Sequence, residues 1–130
     1  MSHVRMGKVQ FKIMRVLWDR GRASAREITD RLNQDEPIAH STVQTLLRKL
    51  EAKGAVRHDS SERTFVFLPC VGEENVRRGA THDLVERVFG GSPAQLMSYL
   101  LKNERVSKKE LEEIRRLIDE QARKPQRGKR

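Results

Sequence analysis

Ser41, Gln44, Thr45 and Arg48 recur at the i, i+3, i+4, i+7 spacing of a single helical face. All four carry hydrogen-bonding groups, and the face lacks the Glu/Lys mix of an ordinary solvated helix. Side chains of this kind can reach base edges in a DNA major groove. A guanidinium offers two donors to guanine, and a carboxamide offers a donor and an acceptor to adenine. The opposite side of the same stretch carries Val43, Leu46, Leu47 and Leu50, an apolar stripe suited to a core. One helix therefore combines a face for recognition with a face for packing.

The remaining reactive side chains do not assemble into a catalyst. Cys70 is the only cysteine, which excludes an internal disulfide and a cysteine-rich metal cage. Beside Pro69 it reads as a small packing residue. His3, His40, His58 and His82 lack metal-ligand spacing. His40 and His58 fall near the proposed DNA face, where phosphate contact and plain exposure are both open. Glu73–Glu74 and Glu112–Glu113 are adjacent pairs that point apart on helices. Gly90–Gly91 lacks the context of a phosphate-binding loop. The expectation is a protein that is not an enzyme and uses no cofactor or metal.

The elements that position this helix follow from punctuation and periodicity. Residues 1–7 show no pattern. A first helix is predicted from Lys8 to Arg20, with Phe11, Met14, Leu17 and Trp18 inward and Gly21 as its stop. Trp18 suits an anchor for the core. Ser24-Ala25-Arg26-Glu27 forms a capping box that opens a second helix running to about Leu32. Asn33 to Ala39, with Pro37, makes a turn into the third helix, which begins near His40 and stops at Gly54. Ala55–His58 and Thr64–Leu68 alternate as strands around a polar tip, Asp59 to Arg63. Three helices followed by a hairpin is the order of a winged helix-turn-helix, with the hairpin as wing.

Charge follows the same division. Residues 1–70 carry 13 Lys/Arg against 8 Asp/Glu, whereas residues 71–122 carry 9 against 10. Five of the last eight residues (Arg123, Lys124, Arg127, Lys129 and Arg130) form a basic tail. A basic N-terminal half suits a polyanion, to which phosphate contacts give sequence-independent affinity. No apolar run approaches the roughly 18 residues that span a bilayer. No hydrophobic signal-peptide core follows the first Met, so a cytoplasmic protein without membrane insertion is expected.

The second half reads as three helices. One runs from Glu73 to about Phe89 and breaks at Gly90–Gly91. Ser92 caps the next, with Pro93 in its first turn and Leu96, Met97, Leu100 and Leu101 on one face. Ser107 and Glu110 form a second capping box, opening a helix with Leu111, Ile114, Leu117 and Ile118 as a narrow stripe. Three short helices bury such stripes poorly alone. Leu96, Leu100, Leu111, Ile114, Leu117 and Ile118 are therefore the candidate contacts of a homodimer. The expected domains are residues 1–70 for DNA, 71–122 for dimerisation and 123–130 as tail. The alternative is that the stripes fold back onto the winged-helix core.

Several stretches, taken in order, resemble the penicillinase-repressor family of winged-helix regulators, the BlaI/MecI type. They are Met14-Arg15-Val16-Leu17-Trp18, Ser24-Ala25-Arg26-Glu27-Ile28, and Ser41-Thr42-Val43-Gln44-Thr45-Leu46-Leu47 with Leu50 and Lys53-Gly54-Ala55. Phe89-Gly90-Gly91-Ser92-Pro93 and Leu111-Glu112-Glu113-Ile114 complete the set. The resemblance covers about residues 8–122. It implies a homodimeric repressor on a palindromic operator, mainly helical, with a winged domain and a helical dimerisation domain. It places DNA contacts on Ser41, Thr42, Gln44, Thr45 and Arg48. Lys49, Lys53, Arg57 and Arg63 would then grip phosphates.

Repressors of this type are released when a membrane metalloprotease sensor of β-lactams triggers cleavage at an Asn-Phe pair in the fifth helix. Ser98-Tyr99 occupies that position here. The cysteine cluster of copper-responsive relatives is missing. Ala39-His40 replaces the Ser-Pro common before the third helix, so a frayed start is expected there. Two other classes remain open, a winged-helix protein-interaction module and a small-molecule-sensing regulator with a pocket between the C-terminal helices. An apolar or acidic outer face on the third helix would favour the interaction module, and this chain has neither.

Overall fold

The apolar stripes of three helices meet in one place, and that meeting organises the N-terminal half. The computed structural model describes residues 5–61 and 63–125. His3, Glu62, and Arg127, Lys129 and Arg130 of the expected basic tail lie outside the described residues, as do residues 1–4. The chain divides into two compact units, Met1–Leu84 and Val85–Arg130. The dividing line falls inside a helix, whereas composition put it after Cys70.

The first unit contains α1 (Lys8–Arg20), β1 (Ala23–Ser24), α2 (Ala25–Asn33), α3 (His40–Ala52), β2 (Val56–Asp59) and β3 (Val66–Pro69). Its core joins Ile13, Met14 and Leu17 of α1, Ile28 of α2, Val43, Leu47 and Leu50 of α3, and Val56 of β2, all fully or almost fully buried. Each such aliphatic side chain contributes roughly 1.5–3 kcal/mol by leaving water. Trp18 is half-buried at the edge and its indole N–H donates to the Val71 carbonyl at 2.9 Å.

The strands form a three-stranded antiparallel sheet in the order β1-β3-β2. The hairpin follows the expected pattern with each boundary moved by one or two residues, and Pro69 ends β3. β1 is a departure from the expected elements. Ala23 and Ser24 pair with Phe67 and Val66, so Ser24 ends a strand and caps a helix at once. Its hydroxyl accepts the Glu27 amide at 3.1 Å while the Glu27 carboxylate accepts the Ser24 amide at 2.8 Å.

The turn between α2 and α3 is fastened by Asn33. Its amide nitrogen donates to the Thr29 and Ile38 carbonyls at 2.9 and 3.0 Å, and its oxygen accepts the Ile38 amide at 3.0 Å. α3 starts, as expected, without a side-chain cap on Ala39. Another bond holds this end. Thr29 Oγ1 donates to the Ala25 carbonyl at 2.8 Å and lies 2.9 Å from His40 Nδ1. The single hydroxyl proton is already used, so the imidazole is the donor.

α4 (Glu73–Val88) crosses the dividing line, and the second unit adds α5 (Pro93–Asn103) and α6 (Lys108–Arg123). α4 ends through Gly90 and Gly91, both at positive φ, with the Gly91 amide reaching the Val85 carbonyl at 2.8 Å. That conformation is cheap for glycine and costly for other residues. Ser92 caps α5 by accepting the Gln95 amide at 3.1 Å. Of the second expected capping box only the Ser107 half forms, on the Glu110 amide at 3.0 Å. α6 extends to Arg123, which composition had assigned to the tail. Neither α5 nor α6 has a buried residue.

Candidate nucleic-acid interface

α3 sorts its residues by face as its periodicity requires. Val43, Leu47 and Leu50 are buried, Leu46 is half-buried, and Ser41, Thr42, Gln44, Thr45, Arg48 and Lys49 are exposed. Ser41, Gln44, Thr45 and Arg48 form one contiguous polar strip, with Thr42 and Lys49 on its shoulder. Arg48 Nη2 donates to Thr45 Oγ1 at 3.4 Å, a long bond between neighbours one turn apart. No carboxylate pairs with Arg48 among the described residues, so its guanidinium is available to an incoming acceptor.

Beside this strip runs a groove of about 560 Å³ between α3, the start of α2 and the hairpin. Arg26, Gln44, Arg48, Glu51, His58 and Phe65 line it. Arg26 counted only as part of the α2 capping box in the sequence. In the structure it is exposed across the groove from the polar strip and adds a second cation there.

The structure does not gather every expected phosphate contact at this face. Lys53 donates its ammonium to the Arg5 carbonyl at 2.6 Å and to Gln10 Oε1 at 3.2 Å, fastening the end of α3 to the start of α1. Arg57 is exposed, but strand alternation sets it on the opposite sheet face from His58, which lines the groove. Arg63 is exposed in the hairpin loop. Nearby, Asp59 accepts the Ser61 amide at 2.9 Å. That bond holds its carboxyl below the usual range, with Arg22 and Arg57 acting in the same direction.

His58 stands at the hairpin's inner face. Its Nδ1 lies 2.7 and 3.0 Å from the two carboxylate oxygens of Glu51, and its ring stacks on Phe65. Neither Glu51 nor Phe65 was singled out from the sequence. His58 opposes Phe67 in the β2–β3 register, which makes Phe65 its diagonal neighbour on the same sheet face. Only the register reveals that contact. Among the described residues no three His, Cys, Asp or Glu side chains gather as a metal site would require. No helix among the described residues is long and apolar enough to cross a membrane.

The second unit holds the other expected sites. Leu96 and Ile114 are half-buried, while Leu100, Leu111, Leu117 and Ile118 are exposed. Ser98 and Tyr99 are exposed in the middle of α5, and the Tyr99 ring lies 5.7 Å from that of Phe89.

Comparison with known proteins places this geometry in context. The sequence model described as "Penicillinase repressor" matches residues 6–120. A penicillinase repressor of Bacillus licheniformis is 25% identical over 111 residues, covering 85% of this chain and 87% of its own. A penicillinase repressor of Staphylococcus aureus is 22% identical over 123 residues, covering 95% and 98%. The solution structure of the DNA-binding domain of the repressor BlaI superposes with a TM-score of 0.51 at 26% identity. It covers 58% of this chain and 93% of that domain.

Proposed function

This chain belongs to the penicillinase repressor family, and from that premise we propose that it is a DNA-binding transcriptional repressor that reads its operator with α3. The observation that carries this reading is the exposed strip Ser41, Gln44, Thr45 and Arg48, free of core duties on a helix whose other side buries Val43, Leu47 and Leu50. The likeness of the fold to a DNA-binding domain supports it. In this reading α3 enters the major groove, with Arg48 bidentate to a guanine and Gln44 to an adenine. Ser41, Thr42, Thr45 and Lys49 bond to base edges or phosphates around them, and Arg63 adds a phosphate contact from the wing. Arg57 and Lys53 contribute charge from outside the strip.

The repressor acts as a homodimer on a palindromic operator, in the cytoplasm, with half-sites about one helical turn or a multiple apart. Dimerisation uses α5 and α6, whose apolar side chains have no interior of their own. The regulated genes serve β-lactam resistance or the cell-envelope and stress response. Release follows proteolysis in the second unit, prompted by a membrane metalloprotease sensor, or another signal. Ser98 and Tyr99 sit mid-helix, so α5 must open locally before a protease can take that bond in extended form. Binding sites of the protein mapped across its own genome test the proposal. The expected result is a small set of palindromes upstream of resistance or envelope genes, with affinity falling steeply as salt rises. Binding that is absent, or indifferent to salt, would overturn it.

A further inference from the structure

Phe65 is a large apolar side chain left 52% exposed on the hairpin, yet its ring is held in place. It lies nearly flat on His58, with centroids 4.6 Å apart and planes at 16°. His58 is fixed in turn. Its Nδ1 is within 2.7 and 3.0 Å of the two oxygens of Glu51, and its ring meets Phe67 at 6.1 Å. Glu51 belongs to α3, His58 to β2, and Phe65 immediately precedes β3. The three side chains therefore form a continuous bridge from the helix to the wing.

Two physical points give the bridge a purpose. A carboxylate on the groove side of α3 opposes a polyanion, and here both its oxygens are engaged by the imidazole. An exposed phenyl ring costs solubility, and the groove it lines also carries the guanidinium groups of Arg26 and Arg48. Cations beside an apolar plate match the edge of a nucleic-acid backbone, where charged phosphates alternate with apolar deoxyribose.

We propose that Glu51 and His58 are positioning residues that set the angle of the wing against α3 and present the Phe65 ring to the deoxyribose edge of bound DNA. This inference rests on the DNA-binding reading above. Because sugar contacts are independent of sequence, a mixed-sequence duplex serves as probe. Phe65→Ala should weaken binding about tenfold without altering the salt slope, since no ion is released by an apolar contact.

Glu51 separates positioning from simple charge. Glu51→Gln keeps an oxygen to accept from His58 and should hold or raise affinity, whereas Glu51→Ala should lower it several-fold. In a Phe65→Ala background Glu51→Ala should no longer lower affinity. If Glu51→Ala tightened binding as Glu51→Gln does, Glu51 would be only a repelling charge and the proposal would fall. Wild-type affinity in Phe65→Ala would also overturn it. Should Phe65→Ala fail to fold, the wild-type ring protons remain informative. They should lose access to a paramagnetic solvent probe when the duplex is added, and unchanged access counts against the contact. A wild-type chain with no salt-dependent duplex affinity would instead overturn the functional reading itself.

Discussion

At the scale of single residues, Arg48 and Gln44 share one rim of the groove, and their side chains differ in what they distinguish. A bidentate guanidinium–guanine pair discriminates by roughly 1–3 kcal/mol against a wrong base, so Arg48→Ala should lower affinity for the cognate operator and relax preference at one position of each half-site. Gel-shift titrations with operators substituted base by base would show this, and an unchanged preference would mean another side chain reads that base. Glu27 makes a different kind of contribution. The Ser24 amide it accepts holds its carboxyl below the ordinary value, outweighing the opposing effect of desolvation, and Arg20 adds a lesser effect in the same downward direction. Its pKa is depressed in the folded state, so the stability it adds is present above the unfolded value of about 4.3 and is lost as pH falls through the lower, folded value. Thermal midpoints taken from neutral pH into acid should therefore fall less steeply below about pH 4 in Glu27→Gln than in the wild type. Parallel curves for the two proteins would contradict the assignment.

At the scale of elements, α3 is built to be held by its neighbours and lacks a cap of its own. Ala39 already has the extended backbone of an N-cap, φ −76° and ψ 143°, and offers no side-chain acceptor. Ala39→Ser would supply one to the exposed amides and should stabilise the protein by about 1 kcal/mol, raising the melting midpoint by a few degrees. Calorimetry checks this, and no gain would show that the His40–Thr29 bond already secures the helix start. The same helix shows what a sequence can disclose. Its inner and outer faces, its start at His40 and the Ser24–Glu27 box were legible, because periodicity and capping are local, while its end at Ala52 falls two residues before the Gly54 stop expected. β1 was not, since two residues pair only because β3 passes beside them. Nor was the use of Lys53 on Arg5 and Gln10, or the Glu51–His58–Phe65 bridge, since each joins residues on separate elements. The resemblance and its charge assigned Lys53 to phosphate, and only tertiary geometry reveals the carbonyl that it meets.

At the scale of the whole molecule, the two units meet different physical demands. The first carries its own core. The second leaves Leu111, Leu117 and Ile118 about half exposed along α6, while Arg116 on the same helix pairs with Glu113 and Glu120. An uncovered apolar stripe on a helix whose ion pairs lie on its opposite face suits a self-complementary interface, because a two-fold axis sets each stripe against its copy and leaves the charges in solvent. Leu117→Asp combined with Ile118→Asp would place carboxylates within that stripe and should yield a monomer at micromolar concentration in sedimentation velocity. The consequence for DNA is larger than the loss of one interface. In the proposed dimer, two tethered reading helices would bind the second half-site at high effective concentration, a gain of roughly 10²- to 10⁴-fold without any new base contact. The monomeric variant should lose about that factor on a palindromic operator while keeping wild-type affinity for an isolated half-site. A variant that is monomeric and still binds the palindrome as tightly as wild type would show that affinity resides in a single winged unit, and the exposed stripe of α6 would then need another partner.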